Sequence, residues 1–416
     1  MYLYKILSPY IRATFLGASV TLGTASSAAA DDLSFGITIG GLTDDFLARS
    51  EQYSTLGFNG ASLTSSFEYK RLSASVTAAS TIDGPNKTLS SYDLSLRLGN
   101  GNWQVGAGKI DRHWSPSKYT SLIMSKNAAA FHSAYLRKSE ATKTDLPILR
   151  WLGAWDGEFF FGTTEDAGQP DGSLIMGMRA RIRPVANLEI DFVRTAQWGG
   201  EGKPQSLRTF FDVLSGDTNE GDASSANQLA GVGISYTLPK LARSTRVYAQ
   251  AVGEDEAGRL PSCLFYVAGV EMDLSLFGVP SQITLEHTDT RVDHTENGFC
   301  GPNTAYRNSM YSYAQNGVSL GAAIDSESAS ASLRVKHELQ DMTVNWSIGN
   351  YQINDASSGN HRLSSGRVQG VLVTAGFSRE MFGGTVSAVV AHQGFELDKA
   401  GLREGARIGL GFSKSF

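Results

Sequence analysis

The chain has little of what usually holds a small secreted domain or a helical membrane protein together. Two cysteines in 416 residues exclude a disulfide-built scaffold. Eleven prolines are few enough to leave many strands with intact hydrogen-bond ladders. No apolar run reaches the roughly 20 residues that a membrane-spanning helix needs. The seven histidines are scattered, with none at metal-ligand spacing, and neither H-E-x-x-H nor G-x-S-x-G occurs. Paired acids are present, but their separation is not readable from sequence. No catalytic residue, metal ligand or cofactor is therefore assigned. Cations are also in deficit: the formal net charge is −5, which argues against nucleic acid as a partner.

Glycine, by contrast, is plentiful at 45 residues, above the roughly 7% average, and suits a crowded barrel wall. Residues 1–30 read as an export signal. Lys5 and Arg12 form a basic front, residues 13–23 a short apolar middle, and Ala28 and Ala30 a small-residue cleavage pattern, with the cut expected after Ala30. Its removal leaves residues 31–416 with a formal charge of −7, because Lys5 and Arg12 depart with no acid. No cysteine follows the signal to carry a lipid anchor. The oxidising compartment beyond the inner membrane makes a Cys263–Cys300 disulfide the expectation.

Period-two alternation recurs through the rest of the chain and helical periodicity is scarce. About 18 segments carry it, from 33–40 to the terminal strand, where Ile408, Leu410, Phe412 and Phe416 share one parity and Lys414 interrupts it. Connections alternate between short (99–102, 184–187, 338–342, 379–383) and long (41–60, 110–130, 197–227, 291–327, 354–367). The one misfit is 139–150, a long segment where a short turn is due. An even strand count with alternating short and long connections predicts a transmembrane antiparallel β-barrel with long extracellular loops, placed in a bacterial outer membrane.

One hairpin shows which face is wet. Leu174, Met176, Met178, Ala180 and Ile182 share one parity, while Arg179, Arg181 and Arg183 share the other. On the next segment Leu188, Ile190 and Phe192 oppose Glu189 and Asp191. Folding about Ala186 sets Arg183 opposite Glu189 and Arg181 opposite Asp191. Charges are costly against lipid, so both rows are expected in the lumen. There they either brace a filled barrel or line a path for ions or polysaccharide.

Four stretches at strand tops and in long loops concentrate Trp, Arg, Gln and acids: 111–116 with Arg112 and Trp114; 194–204 with Arg194, Gln197, Trp198 and Glu201; 253–258 with Glu254 and Asp255; and 289–291 with Asp289 and Arg291. Saccharide recognition wants this mixture, an aromatic face for the ring and planar polar groups for its hydroxyls. Arginine also reads the carboxylates of acidic sugars. The same residues have plainer uses: Trp114 and Trp198 as interfacial girdle residues, Arg194 as an inner brace, and Glu254 and Asp255 as a solvated loop.

These stretches, with 106–114, 125–128, 227–231, 260–262, 305–306 and 325–328, resemble the Wzi family of capsule-assembly outer-membrane proteins. The resemblance covers about the last three quarters of the chain, and 194–204 and 253–262 are its specific parts. It implies a monomeric lectin-like barrel that binds secreted capsular or extracellular polysaccharide and helps attach it to the cell surface. The surrounding partners would be outer-membrane lipid, lipopolysaccharide and the barrel-assembly machinery. The family also places a periplasmic helical bundle before the barrel. Strands here begin at Leu33, so little or no bundle is expected. Two other readings stand beside the lectin: a porin or export channel with gating loops, and a barrel enzyme acting on surface glycan or lipid.

Overall fold

The computed structural model describes residues 32–416, apart from 53–59, 82–87, 100–101, 145, 219, 240–243, 258–259 and 293–299. The expected signal, 1–30, lies outside the described residues. Eighteen antiparallel strands form one sheet that closes on itself. In chain order the wall begins with β1 Asp32–Leu42, β2 Gly60–Tyr69, β3 Leu72–Thr81, β4 Thr88–Leu98, β5 Trp103–Lys109 and β6 His132–Lys143. It continues with β7 Ala154–Thr164, β8 Ser173–Arg183, β9 Leu188–Trp198, β10 Asn227–Leu238, β11 Thr245–Ala257, β12 Leu260–Leu276 and β13 Val279–Asp289. A small hairpin, β14 Ala314–Gln315 and β15 Val318–Ser319, stands apart. The wall is completed by β16 Ala329–Glu338, β17 Met342–Ile353, β18 Val368–Met381, β19 Gly384–Gln393 and β20 Gly405–Ser415. The expected strand count and the expected segments are those found.

The seam lies between β1 and β20, in register Gly36↔Ser415 through Leu42↔Gly409. The Phe416 N–H donates to Phe35 O at 2.7 Å and extends the ladder. Ile408 (55% exposed) and Leu410 (62%) point away from the lumen, as an apolar lipid-facing wall requires. Lys414 shares their parity but sits beside the short turn at Gly383, with its ammonium 5.0 Å from the Phe416 ring. At that level a lysine reaches the polar boundary while its stem stays apolar.

The long 139–150 segment also has a physical reason. β6 outruns its expected end and its register against β7 shifts between Lys138 and Thr142. The buried Lys138 ammonium fills the bulge, donating to Glu140 O at 2.8 Å and also to Trp155 O. A 3-10 turn, Pro147–Leu152, then leads into β7.

Helices are few. α1 (Arg49–Gln52) is a single turn, and α2 (Leu207–Ser215) is a nine-residue helix in the long β9–β10 connection. Ser206 caps α2 by accepting from the Thr209 N–H, and Gly216 at φ 80° ends it, the left-handed turn glycine adopts without strain. Among the described residues no helix is long and apolar enough to cross a membrane.

Candidate functional site: a plugged lumen and its mouth

The lumen is filled by the chain's own loops. After β5, residues 110–131 turn inward, and wall side chains from widely separated strands hold them there. Glu286 of β13 is the hub. It accepts from Thr120 Oγ1 at 2.8 Å, Tyr248 Oη at 2.7 Å and the Ser117 hydroxyl, and it pairs with Arg334 at 3.4 Å. Gln250 of β11 donates to Trp114 O at 2.7 Å and accepts from the Leu122 N–H at 3.2 Å. Arg246, near the short-turn end of β11, donates to Pro116 O at 2.6 Å. The plug therefore descends at least to the middle of the wall, where Pro116 lies against Gly233 of β10.

A second segment, from Cys300 to Ser328, lies over the first. Tyr306 and Tyr313 stack with centroids 5.9 Å apart and planes 8° apart. The Tyr306 hydroxyl donates to Leu122 O at 2.7 Å, and that of Tyr313 to Ile123 O. Burial raises the pKa of both phenols. A disulfide joins Cys263 of β12 to Cys300 and ties the start of this segment to the wall.

These packing roles absorb most of the residues singled out in the sequence. Arg112 is buried inside the barrel, paired with Glu158 at 2.7 Å, its guanidinium 4.1 Å from the Phe160 ring. Trp114 packs on the same Phe160. Gln197 is wholly buried, donating to Thr164 and accepting from the Tyr313 N–H at 3.1 Å. Glu254 accepts from the Tyr306 N–H at 2.8 Å. None of these four is presented to an outside ligand.

Arg194 and Trp198 need a larger correction. They continue the outward parity of Leu188, Ile190 and Phe192, so they sit on the barrel's exterior. There α2 covers them. Arg194 donates to the last carbonyls of α2, Leu214 O at 2.8 Å and Val213 O at 2.5 Å. Trp198 is 2% exposed, between Phe161 and Phe210. The ring-platform role expected of Trp198 is unavailable to a buried indole.

Glu201 is exposed beyond β9, its N–H donating to Asp171 O. Asp289 and Arg291 form an ion pair at 2.5 Å on the long-loop rim, extended to Asp355 at 3.7 Å. The Asp289 hydrogen bond raises the Arg291 pKa further. Asp255 pairs with Ser262 in the β11–β12 ladder, and its side chain lies outside the described residues. The expected binding residues are thus dispersed over lumen, exterior and rim rather than gathered in one site.

The charge rows do lie inside. Arg179 pairs with Asp191 at 2.6 Å, Arg183 with Glu189 at 2.8 Å, and Arg181 with Asp156 at 3.0 Å. Arg181 stands opposite Asp191 in the ladder, yet its closest ion pair is with Asp156 of β7. Arg179 also donates to His113 O at 3.3 Å. The rows brace one another and the plug.

Two openings remain: a pocket at the short-turn end lined by Ser34, Ser66, Glu68, Ser73, Ser75 and Asp93, and the mouth at the long-loop end. A cavity of about 410 Å³ lies there between five loops, lined by Asp45, Arg49, Asn127, Asn316, Asp325, Arg362 and Lys399, among others. Arg49 pairs with Asp45 at 2.6 Å, Arg362 pairs with Asp325, and Lys399 donates to Gly359 O. Asn127 donates to Ser319 O at 3.1 Å, seating the β14–β15 hairpin on the plug. Across the hairpin's Asn316–Gly317 turn a second depression is lined by Glu165, Asp166 and Asp171. Charged and amide groups standing around an open cavity suit a hydroxyl-rich ligand. Asn127 and Asp325 fall within stretches quoted for the family resemblance. Arg49, Arg362 and Lys399 carried no signal, because only tertiary folding brings their loops together.

A closed wall with an apolar exterior and a lumen filled by its own loops defines an outer-membrane β-barrel with a built-in plug. The family model for capsule assembly protein Wzi matches residues 49–381, and the chain belongs to that family. An uncharacterised 55.8 kDa protein of the cps region of Klebsiella pneumoniae is 33% identical over 172 residues, 41% of this chain and 34% of that protein. The match thus spans about a third of that relative's length. Among solved structures, Wzi of Escherichia coli, described as a carbohydrate-binding β-barrel involved in group 1 capsule assembly, superposes with a TM-score of 0.76 at 20% identity, covering 93% of this chain and 85% of that one. OprD of Pseudomonas aeruginosa superposes with a TM-score of 0.56 at 10% identity, covering 94% and 97%.

Proposed function

We propose that the chain is a surface lectin. It holds secreted capsular or extracellular polysaccharide at the long-loop mouth, which faces outside, and takes part in attaching that polymer to the cell. The observation that carries this reading is the combination of a plugged lumen with a polar, charge-lined cavity at the mouth. A plug anchored on Glu286, Gln250 and Arg246 leaves little room for transport, so the mouth is where a large ligand can be met. Family membership and the carbohydrate binding of the E. coli relative support the same reading. The barrel works as a monomer in lipid and lipopolysaccharide, is inserted by the barrel-assembly machinery, and turns nothing over.

The test is binding of the detergent-purified barrel to polysaccharide shed by its own host, with Arg49→Ala and Lys399→Ala as mouth variants. Saturable binding that the variants weaken is expected. A correctly folded, heat-modifiable barrel that does not bind the polymer would overturn the lectin reading. A large, stable open conductance in planar bilayers would instead favour a channel.

A further inference from the structure

Helix α2 lies outside the barrel, and its own exterior is unusual. At about 100° per residue, Thr209, Phe210 and Val213 fall on the side that packs against the wall, where Thr209 and Val213 are buried. The uncovered side is split. Leu207 (79% exposed) and Phe211 (61%) form one flank. Arg208, Asp212 and Ser215 form the other, and the Arg208 side chain is 89% exposed.

Height along the wall says what meets the apolar flank. A strand tilted by about 40° climbs about 2.5 Å per residue along the membrane normal. The 11 residues of β9 therefore climb about 25 Å, the height of the apolar band of such barrels. Trp198 ends β9, and Arg194 sits about 10 Å lower along the wall. Bare, the Arg194 guanidinium would stand on the outward parity of Phe192; the terminal carbonyls of α2 enclose it instead. In the same sector the outward wall exposes Phe192, Val232 and Ile234.

We propose that α2 is an interfacial helix, seated in the lipid leaflet on the long-loop side. Leu207 and Phe211 enter the acyl chains, and Arg208, in the first turn, stays at the headgroup level. Three-sided packing of this kind, wall, acyl chain and water, accounts for an amphipathic helix with two separate apolar contacts. It fixes the depth of the barrel's rim and keeps the β9–β10 loop off the mouth.

The test uses the full-length protein in vesicles of phosphatidylcholine brominated high on the acyl chains. Phe211→Trp adds an emission above that of the native tryptophans, read as the difference from the unsubstituted protein. That added emission is expected to be lost in brominated vesicles and insensitive to aqueous iodide. Arg208→Trp is expected to show the reverse. Leu207→Trp replaces Phe211→Trp if the latter barrel is not heat-modifiable. Added emission at Phe211 that iodide quenches and brominated lipid does not would overturn the proposal. Emission insensitive to both quenchers, together with a cross-linked dimer, would also overturn it and assign the flank to a second copy of the chain.

Discussion

Removing the Glu286 carboxylate should unseat the plug. In Glu286→Ala three hydroxyls, of Ser117, Thr120 and Tyr248, lose a charged acceptor. Hydrogen bonds to charged groups contribute about 1.5–3 kcal/mol each, but hydroxyls rotate and find other acceptors, so their full sum is not lost. The larger effect falls on Arg334. It is left buried without its carboxylate, while Ser332 at 2.6 Å and the Tyr119 ring at 4.4 Å stay beside it. Breaking a buried pair from one side costs about 3–5 kcal/mol. That cost is local, because the barrel ladders do not pass through Glu286. The expected result is an intact, heat-modifiable barrel with faster amide exchange over residues 115–125 and a new ionic conductance in planar bilayers. Glu286→Gln keeps one carbonyl acceptor and should fall between the two. Both variants remaining silent, with wild-type exchange protection, would refute the view that this carboxylate pins the plug.

Other perturbations separate the remaining parts. Arg194→Ala takes the donors from the last carbonyls of α2, a loss of about 1–3 kcal/mol; trypsin should then cut sooner after Arg208, with saccharide affinity unchanged. Replacing both Cys263 and Cys300 by serine opens a loop of sequence separation 37, worth about 3–4 kcal/mol on the chain-entropy account; a lower heat-modification midpoint is expected, and an unchanged one would count against that brace. His361 is buried, its Nε2 donating to Ser326 O at 2.9 Å and its Nδ1 accepting from the Leu363 N–H at 3.2 Å. Burial lowers its pKa below 6.5, so its contribution to stability is fully present above pH 6.5 and is lost as pH falls through the lowered value. Polysaccharide affinity should drop over that range, because Arg362 of the mouth is the next residue, and His361→Gln should flatten the profile; a variant with the wild-type pH slope would exclude His361 as its source.

The wall was legible because lipid on one side and a lumen on the other force strict alternation, and the short turns are forced by strand pairing. The charge rows were readable for the same reason, since Arg181 and Asp191 must share a face if Ile182 and Ile190 share the other. The loops obey no such rule. Arg112 and Trp114 have the composition of a sugar site, and nothing in the sequence says that their loop dives into the lumen. Arg194 did carry a signal: a charge on the parity of Phe192 needs a cover, and Ser206 ahead of an amphipathic nonamer supplies one. The mouth was hidden for a deeper reason. Arg49 is more than 300 residues from Arg362 and Lys399, and only the closed barrel makes their loops neighbours.

The stacked Tyr306 and Tyr313 have a mechanical meaning. Whatever pulls on the mouth pulls on the hairpin and on the segment that carries these rings. Their hydroxyls pass that pull to the backbone of Leu122 and Ile123, and the plug hands it to β8, β11, β13 and β16 together. A polymer held there would tug on four strands of the eighteen-stranded wall at once, and no single loop would have to resist the drag alone.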